Sequence, residues 1–249
     1  MKLNRITTSV AFVAAAASIF SAGAANAMTL RADLLDTFGQ YVNEEGNLFT
    51  DASLKQLNPG SLSWNGVDPI DVFFVDEGAG FRSSLDYSIN GGQKVTLFDD
   101  ISSTDSVLSE QDGPLDLGEG RRVGAFSGPT SIDFFLNANS KFDDTPYVYG
   151  ADAAANPDGL QHMVAFEYYD DVEDQFWTII GFEDLYGELG ATGSPNQDSD
   201  RDFNDVVFAV RGVQGEDVAK TPEPSALLAF MGLGLAGGLK QLRRKSETA

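Results

Sequence analysis

Hydrophobic and polar positions divide this chain into a short helical stretch, a long run of strand-like segments and two apolar ends. Leu34, Leu35, Phe38, Tyr41 and Val42 recur at helical spacing, which predicts a short helix over residues 31–42 that Gly39 weakens. Residues 43–65, rich in Asn, Gly, Ser and Pro, read as loop. From Val67 the pattern turns to β. Ile70 to Val75 is a short apolar strand, Asp76 to Gly80 an acidic turn, and Phe81 to Ile89 a second strand. Gly91-Gly92 reads as a hairpin turn into Val95 to Phe98. Asp99 to Gly120 is a long polar connection and a candidate second cation site. Val123 to Phe126 and Ile132 to Leu136 are further strands, and Tyr147 to Tyr149 is the one β-like segment in the loop over 137–159. The clearest hairpin follows: Val164, Phe166 and Tyr168 alternate, Asp170 to Gln175 turns, and Phe176 to Phe182 returns. After a Gly-, Ser-, Asn- and Pro-rich loop, Val206 to Val210 is continuously apolar, the mark of a strand buried on both faces.

Short strands with frequent turn signals predict a mainly β fold. The expectation is an antiparallel β-sandwich, jelly-roll-like, over residues 67–211, with a short N-terminal helix in an extension over 28–66. No repeat of 20–50 residues is visible, which argues against a solenoid or propeller.

The two ends differ from this middle. Lys2 and Arg5, the apolar run Val10 to Phe20 and the small-x-small site Ala25-Asn26-Ala27 predict a secretory signal over 1–27, cleaved after Ala27. An eleven-residue run is too short to span about 30 Å of hydrocarbon. At the other end, a linker over 212–221 leads into Ala226 to Leu239, fourteen residues without a charge, then Lys240, Arg243, Arg244 and Lys245. As a helix those fourteen reach about 21 Å. With flanks from Pro224 to Leu242 they make a marginal span, basic end cytoplasmic.

Composition sharpens the chemistry. The 249 residues carry a formal charge of −22, and residues 28–220 hold 36 acids against 10 bases. Such a field repels nucleic acid and anionic lipid and attracts divalent cations. With no cysteine, disulfides, thiolate nucleophiles and cysteine-ligated zinc are excluded. The acids crowd most tightly around the last two strands: Glu183 and Asp184 end one, and Asp198, Asp200, Asp202, Asn204 and Asp205 lead into the other. Like charges at that density repel unless a cation sits among them, and oxygen donors suit calcium before magnesium. Asp198, Asp200 and Asp202 stand at positions 1, 3 and 5 of an EF-hand-like loop. Phe203 then replaces its glycine and Ala209 its closing glutamate, which excludes an EF-hand. A different geometry would join Asp200, Asp202 and Asp205 to Glu183 or Asp184. The competing reading gives these acids to turns and to backbone N–H groups.

Two resemblances extend the picture. Pro222-Glu223-Pro224, a glycine-rich apolar helix, and Arg243-Arg244-Lys245 closely resemble the PEP-CTERM sorting signal of Gram-negative bacteria, over 222–249. That resemblance implies Sec export, transient inner-membrane anchoring by the apolar helix, and recognition by an exosortase with cleavage near the Pro-Glu-Pro. The destination it implies is the cell surface or an exopolysaccharide and biofilm matrix. The logic is that of an address removed after use. Gly181-Phe182-Glu183-Asp184 followed by Asp200-Arg201-Asp202-Phe203-Asn204-Asp205-Val206-Val207-Phe208 is similar to the close of a secreted bacterial domain of unknown function seen in PEP-CTERM proteins and RTX-type adhesins. Val72 to Val75 with Glu77 to Leu85 is similar to its opening.

The function expected is therefore an exported structural or adhesive protein with a calcium-stabilised β domain, not an enzyme. The single histidine, His162, enters a strand in alternation, and no Gly-x-Ser-x-Gly elbow, His-Glu-x-x-His helix or phosphate loop is present. Paired carboxylates leave a polysaccharide hydrolase open, because acid count alone cannot exclude one. The stronger alternative is a calcium-dependent carbohydrate-binding module presenting Trp177, Tyr168, Tyr169, Tyr147 and Tyr149 to sugar rings. Against it, such aromatics also fill cores.

Overall fold

A computed structural model describes residues 28–42, 54–78, 80–104 and 113–218. The signal segment with Ala25 and Ala27 and the sorting segment with Pro222, Glu223, Pro224, Arg243, Arg244 and Lys245 lie outside the described residues, as does the expected C-terminal apolar helix. Among the described residues no helix is long and apolar enough to cross a membrane.

The fold is mainly β, with antiparallel sheets and one helix. In chain order the elements are β1 (Met28–Thr29), α1 (Ala32–Gly39), β2 (Lys55–Leu57), β3 (Ser63–Trp64), β4 (Ile70–Asp76), β5 (Ser83–Ile89), β6 (Val95–Ile101) and β7 (Glu119–Gly124). There follow β8 (Ile132–Asn137), β9 (Val148–Tyr149), β10 (Met163–Asp170), β11 (Gln175–Phe182), β12 (Val206–Arg211) and β13 (Val213–Gln214). A seven-stranded sheet runs β1-β7-β4-β12-β11-β10-β2, a four-stranded sheet β6-β5-β8-β9, and β13 pairs with β3 in a two-stranded ribbon.

 Alternation along the central strands explains the layering. Ile70, Val72 and Phe74 of β4, Ile180 and Phe182 of β11, and Val206, Phe208 and Val210 of β12 point to one side of the large sheet. There they share a core with Leu85, Phe98, Ile101, Ile132, Phe134 and Leu136 of the small sheet. The intervening residues Phe73, Val75, Ile179, Val207 and Ala209 form a second core on the outer side, covered by Leu34 and Phe38 of α1. This is why β12 is apolar from Val206 to Val210: one face meets the small sheet, the other the helix. α1 is shorter than its apolar pattern, because the chain leaves helical hydrogen bonding at Gly39 and a turn carries Tyr41 and Val42 into the same outer core.

Three features depart from the expected jelly roll. The sheets are unequal, with seven and four strands, and a helix makes a third layer. The stretch read as loop over 43–65 contributes β2 and β3, with β2 pairing along β10 and forming the edge of the large sheet. The long polar connection is shortened at both ends, since β6 runs on to Ile101 and β7 begins at Glu119. The hairpin lies in the expected place, β10 and β11 pairing from Met163↔Phe182 to Asp170↔Gln175.

Candidate metal centre

The loop between β11 and β12 folds back on the strands it joins. At its start, the Glu183 N–H donates to the His162 carbonyl oxygen at 3.0 Å, carrying the β10–β11 ladder one step past Phe182. At its close, the Asp205 side chain replaces a backbone partner: its Oδ2 accepts the Asp184 N–H at 2.7 Å. The Asp205 carbonyl accepts the Gly78 N–H at 3.1 Å, so one residue ties together the ends of β4, β11 and β12. Gly78 lets the chains approach closely there: a Cβ would lie 3.0 Å from Asn204 Oδ1 and 3.2 Å from the Asn204 carbonyl oxygen, tighter than ordinary contact.

Between these anchors the backbone is held in an uncommon shape. Asp198, Arg201 and Phe203 have φ of 62°, 58° and 63°. Aspartate tolerates this left-handed region, but an arginine and a phenylalanine adopt it at a cost that the surrounding structure must offset. Phe203 is buried in the outer core, and the Arg201 guanidinium lies 5.2 Å from the centre of its ring. The same guanidinium reaches the Gln161 carbonyl oxygen and sits 3.3 Å from His162 Nε2. Packing on either side thus holds the strained turn and directs Asp200 and Asp202 toward Glu183.

Those three carboxylates form the site. One oxygen each from Glu183, Asp200 and Asp202 lie within 4.8 Å of one another. Two oxygens on opposite sides of a calcium ion, each bound at 2.3–2.6 Å, stand about 5 Å apart, so the cluster has the right span. Glu183 and Asp202 are buried and Asp200 faces solvent, which leaves the cluster open on one side. Glu183 Oε1 accepts the Ser199 hydroxyl at 2.7 Å, and Oε2 is buried with no hydrogen-bond donor among the described residues. Asp202 Oδ1 accepts the Asn204 N–H at 3.1 Å, a local turn that fixes its side chain.

Behind the cluster sits a second pair. The Asp184 carboxyl is fully buried and lies against that of Asp205, and neither of its oxygens meets an N–H or O–H donor among the described residues. Burial, reinforced by the Glu183 charge, pushes Asp184 up to about 8. Burial, then the Asp184 charge, pushes Asp205 well above the usual carboxylate range. Burial raises Glu183 too, against the pull of the Ser199 hydroxyl.

Of the seven residues picked from the sequence, the structure therefore brings Glu183, Asp200 and Asp202 together, with Asp184 and Asp205 adjoining. Asp198 stands apart: it is exposed, and its left-handed backbone turns the loop while its N–H donates to the Ala191 carbonyl oxygen at 2.9 Å. The Asn204 amide reaches the Val42 carbonyl oxygen at 3.5 Å. Two partners were missed. Ser199 positions Glu183, and Glu77, buried at the end of β4, adds its charge to the field at Asp184 while its Oε1 accepts from the Ser102 hydroxyl and the Ser103 N–H. Glu77 had a signal, an acid directly after an apolar strand, but it was absorbed into an acidic turn.

The other candidates resolve as follows. His162 is buried, stacked on Tyr149 with ring centres 3.7 Å apart; Nδ1 donates to the Glu183 carbonyl oxygen at 2.8 Å and Nε2 lies 2.8 Å from Asp158 Oδ2. Burial lowers its pKa, and the imidazole props the start of the β11–β12 loop. Trp177 and Tyr149 are core residues, and Tyr168 packs edge-on against Phe38 at 5.1 Å. Only Tyr147 and Tyr169 of the five expected aromatics are exposed.

Two family models match the chain. Residues 126–213 match a domain of unknown function, DUF4114, and residues 220–245 match the PEP-CTERM protein-sorting motif. The first spans the whole β11–β12 loop and its flanking strands but begins after β7, so β4 and Glu77 lie outside it. The second marks the chain for exosortase sorting and export. No curated protein and no solved structure matches it.

Proposed function

We propose that this exported chain serves a structural or adhesive role at the cell surface or in an exopolysaccharide matrix, through a β domain stiffened by calcium. The ion is held by Glu183, Asp200 and Asp202, with Asp184 and Asp205 supplying further negative charge behind it. One observation carries this reading: Glu183 Oε2 and both Asp184 oxygens are buried without a donor, beside a trio already at cation-binding separation. An ionised carboxylate buried without a partner is too costly to keep, so it takes up either a proton or a metal. Export puts the domain where calcium is abundant. Cross-linking the end of β11 to the loop that leads into β12 stiffens a protein that has no disulfide to do so.

Thermal unfolding of the full chain in chelator and in calcium tests it. At free calcium one hundred times the dissociation constant, stability rises by about 2.7 kcal/mol. For a domain of this size that is a rise of roughly 5–10 °C in melting temperature. An unchanged melting curve overturns the metal while leaving the export reading intact. This role asks for no catalytic step, and His162, the chain's one imidazole, is already occupied as a prop.

A further inference from the structure

The aromatics expected to meet sugar are mostly core, but a different pair lines an open cleft. Trp64 of β3 and Phe126, just past β7, stand at 71° with ring centres 6.0 Å apart, forming a corner. Around them Ser63, Asn65, Ser127 and Gln214 line a cleft of about 690 Å³. That is the size of a small-molecule site. None of its lining residues carries a charge, in a chain with 38 acids.

The corner is built in advance. Trp64 is held by pairing with Val213, by its N–H to the Thr130 carbonyl oxygen at 2.8 Å, and by its indole N–H to the Asp68 carbonyl oxygen at 2.6 Å. With that N–H tied back, the indole offers a ring face rather than a donor. Asn65 closes the floor by accepting the Val67 and Asp68 N–H groups at 2.9 and 3.0 Å. The Ser63 and Ser127 hydroxyls and the Gln214 amide make no side-chain hydrogen bond among the described residues, and so remain available to a ligand.

We propose that this cleft binds a short segment of neutral polysaccharide. A pyranose presents C–H groups on its faces and hydroxyls around its rim. The faces stack on aromatic rings, and the rim pairs with neutral groups that both donate and accept, which hydroxyls and amides do. An apolar peptide would leave those groups unpaired, and a polyanion would be repelled by the strongly negative protein around a cleft that holds no cation. The site is independent of the metal centre, whose residues lie on the loop between β11 and β12.

Affinity electrophoresis of the full chain, in calcium, through gels containing dextran, galactomannan, a soluble β-glucan or alginate tests the proposal. Retardation by at least one neutral polymer and not by alginate is expected. W64A should weaken it tenfold or more, and S127R, which fills the cleft from an exposed position without removing packing, should do the same. Y169A, at an exposed aromatic elsewhere, should leave it unchanged. No retardation by any neutral polymer, retardation by alginate alone, or retardation that survives S127R overturns the site.

Discussion

Buried acids at the two ends of the large sheet are treated in opposite ways. Asp71, wholly buried at the start of β4, is gripped by Arg122 of β7 at 2.7 Å and by Arg211 of β12. Asp170 at the close of β10 meets Arg31 at 2.9 Å, and Asp100 on the small sheet meets Arg82, with Lys141 at 3.1 Å. At the far end of β4, β11 and β12 stand Glu77, Glu183, Asp184, Asp202 and Asp205, all buried, and the nearby guanidinium of Arg201 turns to a carbonyl oxygen and a histidine instead. The carboxyls respond accordingly. Arg31 holds Asp170 below its ordinary value, and Arg82 with Lys141 does the same for Asp100 against the push of burial. Asp184, Asp205 and Glu183 are all raised. A chain that supplies a cation to its buried acids elsewhere leaves this group to be neutralised from outside.

The largest effect should come from breaking the self-sufficient end. Asp71→Ala removes a buried carboxylate that accepts charge-assisted hydrogen bonds from Arg122 and Arg211, whose guanidiniums stay partly in solvent. Hydrogen bonds to charged groups contribute about 1.5–3 kcal/mol each, so a loss of about 3 kcal/mol is expected once solvent screening of the arginines is allowed for. Denaturant titration should show that loss equally in chelator and in calcium, because nothing at Asp71 depends on metal. A loss that shrinks with calcium would mean the two ends are not separate.

Next in size, Glu183→Gln or Asp202→Asn should remove the calcium increment of about 2.7 kcal/mol, with much smaller change in chelator. Asp184→Asn sharpens the contrast by reversing sign between conditions. In chelator it relieves like-charge crowding and should hold or raise stability; in calcium it should lower it. Calorimetric titration alongside the unfolding curves separates lost binding from lost folding.

These substitutions also show what could be read in the chain itself. The β10–β11 hairpin is plain because eight paired positions alternate, and Val206 to Val210 announces burial on two faces because no polar residue interrupts it. β2 and β3 are three and two residues long, too short for alternation to register, and their pairing is decided by the sheet edge they meet. Asp200 and Asp202 were visible as alternating acids, and Glu183 as the acid ending the preceding strand. What spacing could not convey is which acids the backbone turns inward. Left-handed Arg201 and Phe203 decide that, and neither residue type signals such a conformation. The sugar-facing corner escaped for a related reason. Trp64 sits in a stretch read as loop, and Trp177, the more obvious tryptophan in a strand, is needed in the outer core.

Acidity gives a smaller but directional test. Asp184 binds a proton more tightly folded than unfolded, its value rising from 3.8 to about 8. Between those values the metal-free native state holds more protons than the unfolded chain, so stability should fall as pH rises from about 4 to about 8. Calcium holds the ionised forms and should flatten or reverse that slope. Asp170 and Asp100 act with the opposite sign, losing their contribution as pH falls through the acid range. Melting temperatures at pH 5, 6.5 and 8, with and without calcium, measure the difference; parallel slopes in the two conditions would break it.

The smallest effect is expected at Asp198, and its smallness discriminates. By spacing alone it belongs with Asp200 and Asp202, and a continuous ligand loop would lose affinity sharply on Asp198→Asn. In the folded chain it is exposed, it stands outside the trio, and its role is a backbone turn at φ 62° that asparagine adopts as readily. The substitution should change stability by no more than about 0.5 kcal/mol. Calcium affinity measured by calorimetry should stay within a factor of two or three of the parent. A tenfold loss would mean that the ion sits further out along the loop than Glu183, Asp200 and Asp202 place it.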